Sequence, residues 1–217
     1  MIEMVNLLLI ASWQSLYMVI ISVIIASIFG IPLGILLMVT DKDQIVENQI
    51  LNKILGTIVN IFRSIPFVIL LFLLIPLTRL IVGKAIGTTA SIVPLSIAAI
   101  PFMARITETA LREVEKGIIE AAQSMGASPY QIITKVLIPE ALPSMVSGIT
   151  ITAINLVGYT AMAGVLGGGG LGDLAVRYGY QRFMYDVMVC TVVILVVMVQ
   201  VMQIVGDKLV RQVSKNR

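Results

Sequence analysis

The sequence lacks histidine and has a single cysteine among its 217 residues. Histidine is the commonest metal ligand and the only side chain that titrates near neutral pH without perturbation, so we expect neither a metal site nor catalysis within this chain. Cys190 stands alone inside an apolar run, and one cysteine cannot form an intrachain disulfide. We therefore interpret Cys190 as a packing residue.

Charged residues are also scarce, at 12%, whereas hydrophobic residues make up 58% and the mean hydropathy is +1.01. Soluble domains contain about 25% charged residues. Several apolar runs reach the roughly 18 to 20 residues that cross about 30 Å of hydrocarbon as a helix. The composition therefore predicts an all-α, polytopic membrane protein. The first run follows Glu3 rather than a basic segment and has no small-residue cleavage site, so we expect it to be retained.

Five membrane spans are predicted from the apolar runs, at about 16–39, 55–77, 89–109, 145–166 and 185–205. An odd number of spans puts the termini on opposite sides of the membrane. Of the fifteen Lys and Arg residues, one side would hold only four, Arg79, Lys84, Arg177 and Arg182, and the other side eleven. Cytoplasmic segments are enriched in Lys and Arg. We therefore predict an N-terminus outside and a C-terminus in the cytoplasm.

Small residues recur every four positions in the first predicted span. They are Ser22, Ala26, Gly30 and Gly34. This spacing aligns them along one face of a helix, and small residues allow close helix contact in lipid. We interpret this stripe as a helix-packing surface.

The stretch "EAAQSMGASPYQIITKVLIP", residues 120–139, is polar and interrupted by glycine and proline. Its first half, up to Met125, favours a helix, and Gly126 is suited to the left-handed conformation that closes a helix C-terminus. Ser128, Pro129 and Gln131 then form a helix start signal, with Ser as the N-cap and Gln three residues later. The pattern predicts two short helices joined by a sharp turn.

The second short helix is predicted to be amphipathic and to end at Pro139. Its apolar positions recur at helical spacing, at Ile132, Ile133, Val136 and Leu137. On the predicted cytoplasmic side, two such helices would form a compact knob that docks onto a partner. An ordinary loop lying on the membrane surface is the alternative that the pattern alone leaves open.

The same stretch resembles the EAA loop of permease subunits of bacterial ATP-binding cassette importers. The matching residues are Glu120, Ala121, Ala122, Gly126, Val136, Ile138 and Pro139. The usual Ile and Leu near the end of the motif are Val136 and Ile138 here, which are conservative departures. Further stretches, including "NIFRSIPFVILL", "PEALPSMVSGITI" and "LVGYTAMAGVLGGGGLGDLA", look like permeases of methionine importers. The resemblance covers nearly the whole chain, so residues 1–217 are expected to form one transmembrane permease domain.

The resemblance implies a set of partners. In this family two permeases pair, the loop forms coupling helices that fit a cleft on cytoplasmic ATPase subunits, and a separate binding protein delivers substrate outside. The implied location is the bacterial inner membrane. We expect no cofactor in this chain, with ATP and Mg²⁺ held by the ATPase subunits. The sequence contains no G-x-x-x-x-G-K-[ST] motif, which agrees with an energy source on another subunit.

The run "GGGGLG", residues 167–172, formally matches a dinucleotide-binding fingerprint. That fingerprint binds a dinucleotide only between a strand and a helix of a parallel sheet, and here it follows a predicted membrane helix. We predict instead a flexible glycine turn between the fourth and fifth spans, on the outer side and near the external binding protein.

The fourth predicted span carries four residues that would suit a path for a zwitterionic amino acid: Asn155, Tyr159, Thr160 and Met162. Internal hydrogen bonding and packing is the alternative interpretation of these residues. A proton-coupled carrier is a rival function, but such carriers bury ionisable relays near mid-membrane. Arg63 and Arg105 are expected to snorkel toward the cytoplasm instead. A permease for another small solute and a non-transporting scaffold are the remaining alternatives.

Overall fold

Helices make up nearly all of the chain in the computed structural model, which describes residues 2–215. The α-helices are α1 Ile2–Val39, α2 Gln49–Ser64, α3 Phe67–Leu73, α4 Ile75–Val82, α5 Thr88–Arg112, α6 Lys116–Ser124, α7 Pro129–Ile132, α8 Ile138–Ala163, α9 Gly170–Leu174 and α10 Tyr185–Lys215. Three π-helical segments, Ile133–Leu137, Gly164–Gly168 and Ala175–Tyr180, connect some of them. No β-strand occurs within residues 2–215, and the predicted all-α class is confirmed.

Four helical stretches are long and apolar enough to cross a membrane. They are Glu3–Val39, Thr88–Arg112, Pro129–Gly168 and Tyr185–Lys215. The first, third, fourth and fifth predicted spans fall within these stretches. The first and third stretches begin well before the predicted boundaries, and the fourth continues about ten residues beyond its predicted end into a polar C-terminal segment.

The second predicted span, 55–77, is not one helix. Helices α2 and α3 meet at an angle of 102°, so the pair is either a broken span or a re-entrant segment, and the span count is four or five accordingly. The bend lies at Ile65 and Pro66, where Ile65 is extended with φ −81° and ψ 122°. A residue before proline is driven out of the helical region by its contact with the proline ring, which explains the break.

The core lies where α1, α5 and α8 meet. Its buried members include Met18, Val19, Ala26, Leu95, Ala99, Met103, Leu156 and Val157. A Cβ atom on Gly30 would lie 2.7 Å from Cβ of Met103 and 2.8 Å from the carbonyl oxygen of Ile100, so only glycine allows α1 and α5 this close. Ser22 and Ala26 are fully buried. The predicted packing role of the small-residue stripe is confirmed.

The glycine-rich segment after α8 folds back into the bundle, whereas we predicted a flexible turn. The backbone N–H of Gly170 donates to Oε1 of Gln14 at 2.8 Å, and that of Leu171 donates to Oγ of Ser15 at 2.9 Å. Leu171 is fully buried. Gly169 and Gly170 have φ values of 75° and 79°, which side chains disfavour. The glycines therefore allow a close return of the chain onto α1.

Candidate docking site and transport path

The predicted turn in the 120–139 stretch is present at the end of α6. Gly126 has φ 79°. Its N–H donates to the carbonyl of Gln123 at 2.9 Å, and the N–H of Ala127 donates to the carbonyl of Ala122 at 3.1 Å. These two bonds form a Schellman motif, which satisfies carbonyls that the helix end leaves free. The predicted role of Gly126 as a helix C-cap is confirmed.

The predicted start signal of the next helix is also confirmed. Oγ of Ser128 accepts a hydrogen bond from the N–H of Gln131 at 3.4 Å. In return, Oε1 of Gln131 accepts from the N–H of Ser128 at 2.8 Å. With Pro129 at the first helical position, this is a capping box. Hydrogen bonds thus fix the two helix ends on either side of the turn at residues 125–128, and we call residues 116–132 the knob.

The prediction that Pro139 ends this second helix is wrong. Helix α7 continues through the π-helical segment Ile133–Leu137 into α8. There the N–H of Ile138 donates to the carbonyl of Ile133, five residues earlier. Proline lacks an N–H and its ring crowds the carbonyl four residues before it, so a wider turn accommodates it without a break. The knob is therefore continuous with a membrane helix.

The motif residues differ in exposure. Glu120, Ala121, Gly126 and Pro139 are exposed, whereas Val136 and Ile138 are half-buried. Ala122 is buried, at 5% exposure, in a cluster that attaches the knob to the ends of α1 and α5. The other buried members of that cluster are Met38, Val39, Ala110, Leu111, Val114, Ile119, Ile132, Leu137, Ala141 and Met145. The motif thus combines surface positions with supporting ones.

Two exposed apolar residues on the knob were missed at the sequence level. Met125 is 82% exposed and Tyr130 is 75% exposed. They flank Gly126 and Pro129, so they lie on either side of the turn. Aromatic residues and methionine are enriched at protein interfaces. The available signal was the presence of large apolar residues at the tip of an otherwise polar segment.

Ionic contacts connect α5 to its neighbours near the knob. Glu108, buried at 5% exposure, pairs with Arg105 at 2.7 Å and with Arg112 at 2.8 Å. Arg112 also pairs with Asp41 in the loop after α1. Arg105 donates in addition to Oδ1 of Asn60 on α2 at 2.8 Å. Arg105 is therefore held in place by Glu108 and Asn60, and the expectation that it snorkels stays a prediction.

The carboxyl group of Asp41 has a pKa below its ordinary value. The largest cause is the hydrogen bond from the Arg112 guanidinium, and the backbone N–H of Lys42 adds a second one. Both bonds favour the ionised carboxylate. Asp41 is thus a charged link between the α1–α2 loop and the end of α5.

The four predicted path residues on α8 differ in their surroundings. Asn155 and Met162 are exposed, and a spacing of seven residues puts them on the same face of the helix. Thr160 is fully buried, and its hydroxyl donates to the carbonyl of Val157 at 2.8 Å. The ring of Tyr159 stacks on Phe67, with centroids 4.7 Å apart. The structure thus brings Asn155 and Met162 together on an open face and turns Thr160 into the bundle.

Residues 30–216 match a protein family described as the binding-protein-dependent transport system inner membrane component. The chain belongs to this family of permeases. The match begins within α1 and includes the knob, the π-helical segment after it and α8. The knob and the membrane helix that continues from it thus both lie within the matched region of the family.

Named relatives of this permease cover most of its length. It is 57% identical over 209 residues to a probable D-methionine transport system permease protein of Vibrio cholerae, covering 96% of this chain and 93% of that protein. It is 48% identical over 180 residues to the methionine import system permease protein of Bacillus subtilis, covering 83% and 81%.

A solved structure also resembles the permease over nearly its whole length. Its fold superposes on a chain of the MetNI methionine ABC transporter, crystallised in inward-facing conformations, with a TM-score of 0.95. The two chains are 49% identical, and the superposition covers 97% of this chain and 98% of the other.

Proposed function

We propose that this permease forms the membrane path of an ATP-binding cassette importer that takes up methionine. The observation that carries the proposal is the knob, an exposed, doubly capped turn that continues without interruption into α8. A loop lying on the membrane surface would not require both caps and a rigid connection to a span. The assignment of methionine rests on relatives that are 48 to 57% identical and are described as methionine transport permeases.

The proposed assembly contains two copies of the permease, two cytoplasmic ATPase subunits and an external binding protein. The ATPase subunits bind ATP and Mg²⁺, and the permease itself has no catalytic role and no cofactor. It spans the bacterial inner membrane with its N-terminus outside and its C-terminus in the cytoplasm. This orientation puts the knob and the Lys-rich and Arg-rich segments on the same side as the ATPase subunits.

Residues of the knob have two proposed roles in docking. Glu120, Ala121 and Gly126 contact the ATPase subunit, together with the exposed side chains of Met125 and Tyr130. The buried Ala122 supports this surface from below. Val136, Ile138 and Pro139 connect the docking surface to α8, and the π-helical segment keeps that connection helical.

Transport proceeds by alternating access in this proposal. ATP binding closes the two ATPase subunits, and their closure moves the docked knobs together with α8. Reversing a 1:99 preference between two conformations to 99:1 requires about 5.5 kcal/mol of differential interaction. A turn fixed by a Schellman motif and a capping box can transmit such a load because its ends do not fray independently.

Reconstitution tests this proposal directly. The permease, its ATPase subunits and the binding protein are placed in liposomes, and uptake of labelled methionine is measured with ATP, without ATP, without the binding protein and with a proton gradient alone. We expect uptake only with ATP and the binding protein. Uptake driven by the proton gradient would indicate a secondary carrier, and ATP-driven uptake of a different solute would overturn the assignment of methionine.

A further inference from the structure

An open cavity lies between α2, α5 and the first half of α8. Its volume is about 420 Å³, and its wall includes Arg63, Phe102, Ile106, Glu113 and Ile151. Sites for small molecules typically measure about 300 to 1,000 Å³ and combine apolar walls with a few polar groups. The cavity has both the size and the mixed lining of a ligand site.

Arg63 has a positive charge that no other residue neutralises in the part of the chain that the structure describes. Within residues 2–215 its side chain forms neither an ion pair nor a hydrogen bond. The neighbouring Arg105, in contrast, is held by Glu108 and Asn60. A guanidinium without a partner attracts an anion and binds a carboxylate through two parallel N–H donors.

Arg63 is the penultimate residue of α2, the first member of the bent helix pair that is long and apolar enough to enter the membrane only when its two helices are taken together. It comes about 21 Å along α2 from Gln49, at 1.5 Å per residue. Its α2 face also carries Lys53, Thr57 and Asn60, whereas Ile54 and Ile58 lie on the other face. The polar face of α2, through Arg63, therefore borders the cavity.

The rest of the cavity suits the side chain and the ammonium group of an apolar amino acid. Phe102, Ile106 and Ile151 supply an apolar wall. Glu113 lies about 16 Å beyond Phe102 along α5, and one of its carboxylate oxygens accepts from the hydroxyl of Ser144 at 2.8 Å. Ile151 lies one helical turn before Asn155, on the same exposed face of α8. The cavity thus extends the face that carries Asn155 and Met162.

We propose that this cavity is a binding site for the transported amino acid on its way to the cytoplasm, in which Arg63 binds the α-carboxylate. The apolar side chain lies against Phe102, Ile106 and Ile151. Glu113, at the end of the cavity nearer the knob, attracts the ammonium group as the substrate leaves. The identity of the ligand rests on the proposed function, but the test below separates the failure of the site from the failure of that function.

Protection of an engineered cysteine measures occupancy of the site. Ile151→Cys is introduced with Cys190→Ser, so that the new thiol is the only one in the permease. The nucleotide-free complex with the ATPase subunits is treated with a maleimide in the presence of L-methionine or L-methioninamide, which lacks the carboxylate charge. We expect methionine to slow the labelling and methioninamide to be much weaker. The same experiment is repeated with Arg63→Gln and Arg63→Lys.

Arg63→Gln should raise the half-protecting methionine concentration by about ten- to a hundredfold, since hydrogen bonds to charged groups contribute about 1.5–3 kcal/mol. Arg63→Lys should retain part of the protection because it keeps the charge. Lys53→Gln, on the same face of α2 but outside the cavity wall, is the matched control and should leave protection unchanged. Co-purification with the ATPase subunits verifies that each variant is folded.

Three results would overturn the site. They are equal protection by methionine and methioninamide, protection that survives Arg63→Gln, and no protection in a complex that still takes up methionine. In the last case the proposed function stands and only the site fails. The labelling is also repeated on the complex in vesicles with and without anionic lipid. Protection by anionic lipid rather than by methionine would be a fourth result against the site, because it would identify a lipid phosphate as the ligand of Arg63. If the unmodified complex shows neither uptake nor protection, both proposals fail.

Discussion

At the scale of single residues, the knob is distinguished by two large apolar side chains that are exposed. Most of the buried residues near it, such as Ala122 and Ile132, are apolar and packed. Met125 and Tyr130 are apolar and yet mostly exposed. Exposed aromatic residues on a rigid turn lose little conformational freedom on binding, so they are suited to be anchors of an interface.

Tyr130→Ala is predicted to weaken docking of the ATPase subunit. Truncation of an interface anchor typically costs about 2 kcal/mol or more, which is roughly a thirtyfold loss of affinity. Co-purification and ATP-driven uptake measure the effect. Tyr180→Ala is the matched control, since Tyr180 is 71% exposed on the opposite side of the predicted topology. Equal losses in both variants would argue against a docking role for Tyr130.

The Asp41–Arg112 pair predicts a small dependence of stability on pH. The pKa of Asp41 is lowered in the folded protein, so its stabilisation is fully present above the ordinary aspartate value of about 3.9. It is lost as the pH falls through the lowered pKa. Both side chains are at least a third exposed, so the contribution is under about 1 kcal/mol.

Asp41→Asn should therefore lower the thermal stability of the permease slightly at pH 7. The difference from the unmodified protein should shrink as the pH falls below about 4, because protonation of Asp41 removes the same charge. Thermal unfolding in detergent between pH 3 and 7 measures both effects. A difference that stays constant over this range would show that the pair does not contribute through its charge.

At the scale of structural elements, the proposed coupling depends on how helices begin and end. The Schellman motif and the capping box fix the turn between α6 and α7, and the π-helical segment carries α7 into α8. The bend at Ile65 and Pro66 separates α2 from α3. Each of these features satisfies or removes backbone hydrogen bonds at a helix end, where four groups lack helical partners.

Gly126→Val is predicted to strain the turn of the knob. For residues with a side chain, the left-handed conformation costs roughly 1–2 kcal/mol, and β-branched residues are least tolerated there. Complex assembly and ATP-driven uptake should both fall. Gly117→Val in α6 is the matched control, because a Cβ atom there meets nothing within 4 Å and its φ is not positive. If Gly126→Val leaves assembly and uptake intact, the turn is not critical for coupling.

At the scale of the whole molecule, one helix pair organises the bundle. Helices α1 and α5 approach closely along the small-residue stripe, and α8 packs against both. The same α5 carries Glu108 and Arg105 and borders the cavity with α2 and α8. Displacement of α5 would therefore disturb the core, the ionic network and the cavity together.

Gly30→Val is predicted to destabilise the whole permease. The added carbon atoms would collide with Met103 and with the backbone of α5, and overpacking of this kind costs about 1–3 kcal/mol. Expression and thermal unfolding in detergent measure the loss. Gly56→Val is the control, since a Cβ atom there makes only an ordinary contact with Leu37 at 3.9 Å. Equal stability of the two variants would contradict the close α1–α5 contact.

The sequence by itself determined the membrane class, most of the spans and both caps of the knob. The hydropathy of a span is a property of one stretch of chain. The hydrogen bonds of the Schellman motif at Gly126 and of the capping box between Ser128 and Gln131 likewise connect residues within five positions of each other. Such features depend on local interactions, which a short stretch of sequence contains in full. The bend at Pro66 was also a local signal, but the apolar run across it concealed the break.

Only the tertiary structure decided which residues face each other across the bundle. Gln14 and Ser15 hold the glycine-rich segment across a sequence separation of 156 residues, and Arg105 binds Asn60 across 45. The exposure of Tyr130 and the burial of Thr160 likewise depend on the packing of neighbouring helices. These contacts form between surfaces that are distant in the chain, so no short stretch of sequence contains the information that selects them.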